Sequence, residues 1–491
     1  MSHTTYPASP QRRQGALATS RRRLAPALLA CASLLGATPA FAVDWQTPQY
    51  GDDRIDVQNY NLALEIQPSL TAISGVVTMQ VRPTVATRDF TLDLHALKVS
   101  NVTVGGLKAA YTQTNDKLRI TPTTGLRQNQ VVTVQVTYAG SPSGARNNFN
   151  PPTPVWEVNA QRKTLHFGAH NGLSFHYFPC NQVSTDKATY SFAITVPKGL
   201  VAVAPGLPQA AKPAGLRTTT YPFLLAQEIS PQDVSLTVGP FRVDTATLPS
   251  GLRLQLYTMA DVTDTAAFMA SFRQAAESSE RLWGAYRFPS MSAVASEQYG
   301  DISRTYWQRG ANVTWYNGES NDYLTAPEFF NNALSNAFLV SNLASLSEVW
   351  FKDGLESYTR LAIDGQSLYE DSLSEDAFGE LEYFQWMSIP SPLDPGFSLG
   401  FENNGPSAYA GYARGTWMMA DLEYRLGQPM VNKILRSWVA LQRTRPVTTT
   451  DFVSIATTVS RDPGVVNLLN RWIYDAKFPT PAFVTEAASG N

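Results

Sequence analysis

The chain has 491 residues, of which 43% are apolar, 11% aromatic and 16% charged, with a formal net charge of −2. That length allows two or more domains with ordinary cores, and that composition excludes a disordered polypeptide. The mildly acidic balance carries no electrostatic footprint for nucleic acid or an anionic membrane.

Residues 1–42 read as an export leader. Arg12, Arg13 and Arg21-Arg22-Arg23 form a basic segment without acids, an apolar stretch runs from Leu24 to Leu35, and Ala40-Phe41-Ala42 is an A-x-A cleavage pattern. Ser20-Arg21-Arg22-Arg23-Leu24 also fits a twin-arginine signal, so the expected location is periplasmic or secreted, by the Sec or the Tat route. No later window approaches ~18 consecutive apolar residues, so the mature chain is expected to have no transmembrane span. Cleavage removes five arginines and no acid, leaving a formal charge of −7. Cys180 then stands alone, with no partner for an intrachain disulfide, and reads as a small buried hydrophobe.

From about Asp44 to Thr247 the pattern has the period of strands. Tyr60, Leu62, Leu64 and Ile66 alternate with their neighbours, as do Ile73, Val77, Met79 and Val81, and later Val132, Val134, Val136 and Tyr138. Such alternation predicts antiparallel strands with one face on a core. Gln67-Pro68-Ser69, Gly105-Gly106, Thr124-Gly125 and Ala139-Gly140-Ser141-Pro142 supply turns, and runs at Tyr190–Val196 and Val234–Val238 are expected to extend the sheet. Residues 43–250 are therefore read as a β-sandwich or saddle.

After Leu252–Tyr257 the period changes. Thr263–Tyr286, Pro327–Leu343, Ser347–Ile363, Ala408–Leu426 and Met430–Gln442 have helical spacing, and Thr448-Thr449-Thr450-Asp451 offers an N-cap before Phe452–Val459. A little strand is expected near Met291–Glu297 and Asn312–Tyr316. Residues 251–491 form the second, mainly helical domain of an α+β protein.

Phe178-Pro179-Cys180-Asn181 followed by Asp186-Lys187-Ala188-Thr189-Tyr190 is similar to the FPC…KAT segment in the N-terminal saddle of the M1 family of aminopeptidases, and Gly284-Ala285-Tyr286-Arg287-Phe288-Pro289 to the segment before that family's exopeptidase motif. That motif, G-A-M-E-N-W-G, stands here as Ala295-Ser296-Glu297-Gln298-Tyr299-Gly300. Trp350-Phe351-Lys352-Asp353-Gly354 resembles W-L-N-E-G, Tyr412-Ala413-Arg414-Gly415 resembles Y-x-K-G, and Arg471-Trp472-Ile473-Tyr474 resembles the closing W-L-Y segment. The resemblance covers most of the mature chain in order. It implies a β saddle followed by a thermolysin-like domain, without the helical-repeat domain that larger members carry at the C-terminus.

Active members hold zinc with H-E-x-x-H on a helix and a glutamate after eighteen intervening residues; the first glutamate activates the metal-bound water. Counting back from Asp353 puts that pentapeptide at Phe330-Asn331-Asn332-Ala333-Leu334, and no histidine follows His176. Both histidine positions carry apolar side chains, the base is an amide that cannot titrate, and the last ligand is shortened to Asp353. Phe330, Leu334 and Phe338 recur at i, i+4 and i+8 as one apolar stripe. No metal cofactor is expected on this reading, and a zinc ion only if an unusual site exists.

The resemblance also implies what is kept. Glu297 takes the place of the glutamate that grips a peptide's free α-amine, and Tyr412 that of the tyrosine that steadies the tetrahedral intermediate. With Gln298 and Tyr299 they are the candidate peptide-binding residues. The blander reading stays open, with Glu297 a solvated acid beside a strand and Tyr412 a helix-packing aromatic. His166, His170 and His176 form a histidine cluster, with the first two four apart. It reads either as turn and core histidines or as a weak metal site, since Gly168 and Asn171-Gly172 argue against a helix there. Asp371, Glu375, Asp376 and Glu380 read as a solvated surface.

The sequence therefore favours an exported M1-like pseudopeptidase that binds a peptide or a protein N-terminus. Two alternatives remain: an active metallo-aminopeptidase using Glu297, Asp353 and Tyr412 around a differently held metal, or a scaffold whose cleft is closed.

Overall fold

Strands form in the first half because each buries one face. In β1 (Ile55–Ile66), Tyr60, Leu62, Leu64 and Ile66 are buried while Asn61, Ala63 and Glu65 face water. The structure, a computed structural model, describes residues 49–142, 155–167, 174–260, 264–296, 313–317, scattered positions between 330 and 345, 348–374, a few positions up to 385, and 406–489. Val43–Asn491 form one compact unit.

β1 pairs antiparallel with β2 (Ile73–Pro83), in register from Ile55↔Pro83 to Ile66↔Ile73. Beyond β2 the sheet continues through β4 (Val132–Gly140) to β3 (Lys98–Val104). On the other side of β1 lie β5 (Ala188–Pro197) and β6 (Thr218–Ile229). The β1–β5 pair runs parallel, from Asn59↔Thr189 to Glu65↔Thr195, so this nine-stranded sheet is mixed where the pattern had suggested antiparallel pairing throughout. Alternation reports which face is buried, and it is blind to the direction of a distant partner.

A second expectation is also corrected. The run at Val234–Val238 yields a strand at Leu236–Gly239 that does not extend the large sheet. It joins Val201–Val203, Thr164–Phe167 and Glu157–Asn159 in a separate four-stranded one. A three-stranded sheet of Phe90–Asp93, Lys117–Thr121 and Ala110–Thr114 completes this half.

The second half opens on β structure as well. β7 (Arg242–Thr247) and β8 (Arg253–Thr258) form an antiparallel hairpin whose turn spans residue 250. β8, β9 (Ser290–Ser296) and β10 (Val313–Asn317) then run parallel. The crossover from β8 to β9 is α1 (Thr265–Trp283), started by the Asp264 side chain on Ala267 N–H and stopped by Gly284 at φ 94°. Further helices among the described residues are α2 (Val349–Ile363), α3 (Pro406–Leu426), α4 (Gln428–Gln442), α5 (Thr449–Ser460), α6 (Gly464–Tyr474) and α7 (Ala482–Ser489), with a single turn at Leu368–Asp371. No described helix is long and apolar enough to cross a membrane.

The expected cap of α5 is a full capping box. Thr448 accepts from Asp451 N–H and the Asp451 carboxylate accepts from Thr448 N–H, while Arg445 pairs with that carboxylate from outside. Thr448→Ala leaves an orphaned helix donor and is expected to cost about 1–2 kcal/mol by urea unfolding. A change within error would mean that Arg445 and Asp451 cap the helix unaided.

Candidate functional site

The residues matched to the saddle motif form a buried polar knot. Asn181 accepts from Asp52 N–H at 2.7 Å and donates to Asp186 at 2.6 Å; Asp186 in turn accepts from Val57 N–H at 3.1 Å. The Cys180 and Asp93 backbones bond reciprocally, and the Cys180 thiol is fully buried and pushed up by that burial. The stretch Phe178 to Tyr190 thus clamps the start of β1 to the start of β5, a packing role for residues that the sequence presents only as a motif.

Lys187, one residue on, reaches across to the helical half. Its ammonium donates to Asn342 Oδ1 at 2.9 Å and to the Leu343 carbonyl at 2.5 Å. Burial pulls its pKa down to about 8, below the ~10.4 of an unfolded lysine. Between those values the unfolded chain binds more protons, so this group's penalty is full below pH 8 and is relieved as pH rises to ~10.4. Wild type is expected to gain on the order of 2 kcal/mol over Lys187→Met between pH 8 and pH 10.4. Parallel stability curves would show that the ammonium is adequately solvated.

Among the candidate residues, β9 carries the chain to Glu297. It is the interior strand between β8 and β10, its residues from Met291 to Ala295 are buried, and it ends at Ser296 immediately before Glu297. Glu297, Gln298 and Tyr299 themselves lie outside the described residues, as does His170.

The Phe330–Phe338 stripe is wholly internal. Phe330 and Leu334 are 0% exposed and Phe338 is 1% exposed. The Phe330 ring stacks on Phe272 of α1 at 5.0 Å and meets Phe268 edge-on at 6.4 Å, while Phe338 packs on Tyr286 at 4.6 Å. α1 supplies this wall because Phe268 and Phe272 are four apart on one helix face.

Asp353 and Tyr412 lie on α2 and α3, where their backbones are described and their side chains are not. The two helices meet at the neighbouring motif glycines. A Cβ on Gly354 would lie 2.7 Å from the Gly415 carbonyl oxygen, and one on Gly415 would lie 2.7 Å from Gly354 Cα. Asp353 and Tyr412 are therefore each within one turn of a single helix crossing. A hydrogen bond from Thr416 Oγ1 to Ser357 Oγ at 3.1 Å holds the same pair of helices together.

The other motif residues lock the C-terminal segment. Arg414 is fully buried and donates to the carbonyls of Asp475 and Lys477, each at 2.6 Å, with burial lowering its pKa to about 10. Asp421 accepts from Arg471, from Trp472 Nε1 and from Ala482 N–H at 2.7–2.9 Å. Both anchors draw the end of the chain onto α3, although spacing alone gave no hint of a structural role for Arg414 or Asp421.

The histidines are distributed differently from the cluster read in the sequence. His166 sits in the Thr164–Phe167 strand, bonded through Nδ1 to Thr237 Oγ1 at 3.0 Å, and burial drives its pKa to about 3. His176 lies 4.5 Å ring to ring from His95, which is paired with Asp116 at 2.8 Å. His95 is distant in sequence and was not grouped with the others.

Comparison with known proteins agrees with this layout. Residues 57–223 match the Peptidase M1 N-terminal domain. No curated protein sequence matches the chain. Among solved structures, a Glu-to-Ala mutant of a two-domain M1 zinc metallopeptidase bound to L-arginine aligns with TM-score 0.71 at 21% identity, covering 89% of this chain and 98% of that one. A mutant M1 zinc metallopeptidase from Deinococcus radiodurans, bound to a Tyr-Ser-Ala substrate, aligns with TM-score 0.68 at 22% identity and the same coverage. Residues 57–223 are thus similar to an M1 peptidase N-terminal domain, and over 89% of its length the chain has the fold of the two-domain M1 zinc metallopeptidases.

Proposed function

We propose that this M1 aminopeptidase-like protein is an exported peptide-binding pseudopeptidase, in which the segment 330–334 stands where active members hold zinc. The observation that carries the reading is the burial of Phe330 in an aromatic wall formed with Phe268 and Phe272, with Leu334 likewise fully buried. A phenyl and an isobutyl group offer no lone pair, and a metal with its water needs polar, partly hydrated surroundings. These residues do not fit a zinc ion, and no catalytic step is assigned through one.

What supports retained binding is the placement of the remaining candidates. β9 delivers the chain to Glu297, and α2 and α3 bring the Asp353 and Tyr412 backbones to one crossing. A carboxylate and a phenol in such a cleft recognise a peptide's ammonium and first carbonyl. The solved relative that holds Tyr-Ser-Ala lends weight to a peptide as ligand. The leader at residues 1–42 is the basis for export, with the protein working in the periplasm or outside the cell.

Metal analysis of the purified mature protein is expected to find zinc far below one equivalent, and aminoacyl p-nitroanilides to remain uncleaved with or without added Zn²⁺. Stoichiometric zinc with chelator-sensitive turnover would establish the metallo-aminopeptidase alternative. Tyr-Ser-Ala is expected to bind, about tenfold more weakly to Glu297→Ala, since a charge-assisted hydrogen bond contributes roughly 1.5–3 kcal/mol. Absence of peptide binding in the wild type would leave the scaffold reading.

A further inference from the structure

The β7–β8 hairpin forms one wall of a cavity. Its cross-strand pairs Val243↔Tyr257, Thr245↔Gln255 and Thr247↔Arg253 share one face, because alternate residues of a strand point the same way. That face looks across a cleft of about 450 Å³ at Val201, Pro208, Tyr221, Pro222 and Phe223 of the N-terminal half. The volume is that of a small-molecule site, and the lining is of the same kind, apolar and aromatic with a few polar groups. The cleft runs along β8 beside β9, with Arg253 paired to Ser290 and Tyr257 to Val294.

The polar groups in this cleft are matched to one kind of ligand. Arg253 is the only charged residue lining it, and its guanidinium has no hydrogen-bond or ion-pair partner among the described residues. Two residues along the same strand face, Gln255 uses its carbonyl oxygen to accept from Ser292 Oγ at 3.1 Å, which leaves its amide N–H groups to donate. A guanidinium and an amide, both donors and spaced i, i+2 on one strand face, complement an acceptor-only group such as a carboxylate. Beside them Val243 and Tyr221 offer apolar surface. We propose that this inter-sheet cleft binds a carboxylate carried on an apolar or aromatic body, held by Arg253 and Gln255 with the body against Tyr221 and Val243.

Such a carboxylate can be a peptide C-terminus or a free organic acid, and the test separates them. Calorimetric titration of the mature protein with N-acetyl-Ala-Ala-Phe and with 3-phenylpropionate is expected to show saturable binding of at least one. The tighter of the two identifies the source. Both probes lack a free amine, so neither depends on Glu297, and the outcome is independent of the peptide-binding reading above. N-acetyl-Ala-Ala-Phe-amide, Arg253→Gln and the cavity-filling Thr245→Trp are each expected to weaken binding about tenfold or more. Arg253 and Thr245 are exposed, so these variants fold. Binding of neither acid overturns the proposal. Equal binding by Arg253→Gln, or of the amide and the acid, overturns it too.

Discussion

Gly354→Ala is expected to cost about 3 kcal/mol or more and to lower the melting temperature by roughly 3 °C or more. The physical reason is the helix crossing: the new methyl group would meet Gly415 backbone atoms, with the carbonyl oxygen 2.7 Å away. No side chain can rotate aside there, so α2 and α3 must separate along their length. Gly415→Ala meets Gly354 Cα and N at 2.7 and 3.0 Å and is expected to behave alike. Because the two changes strain one contact, the double variant should lose less than the sum of the singles. Calorimetry of the three variants checks this. Additive losses would mean that each glycine is constrained by something other than its partner.

Phe330→Ala is expected to destabilise the protein by about 3–5 kcal/mol. Its ring is 0% exposed and stacked on Phe272, so truncation removes buried area and leaves a cavity between helices that are held elsewhere. Leu334→Ala, also fully buried, should cost about 2–5 kcal/mol. The measurement bears directly on function. A hydrated cleft would tolerate loss of either side chain with less than about 1 kcal/mol, whereas a filled core cannot. Glu297→Ala, by contrast, is expected to change binding rather than stability.

Much of the fold was legible because period survives in the sequence. Tyr60 to Ile66 alternate since one side of β1 meets the core, and Phe330, Leu334 and Phe338 recur at four because one helix face does. The identity of the partner surfaces was not legible. Nothing local in Leu62 shows that Phe192 lies beside it in parallel, and nothing in Phe330 points to Phe272. Of the candidate site, Gly354 and Gly415 entered as neighbours of the candidate positions Asp353 and Tyr412. Their own role, a backbone-to-backbone approach, depends on two segments about sixty residues apart meeting, which no window of sequence contains. His95 and His176 came together in the same unannounced way.

The parallel pairing of β1 with β5 also has a temporal consequence. Asn59 and Thr189, direct neighbours in the sheet, are 130 residues apart in the chain. A polypeptide emerging N-terminus first can close the β1–β2 hairpin at once, but one long side of β1 waits for its neighbour. Pairings of such long range carry a large loop-closure cost and slow folding. That delay keeps the leading residues open until about two fifths of the chain has emerged. The same strand order that seats β1 in the middle of the sheet thereby sets when the domain can first become whole.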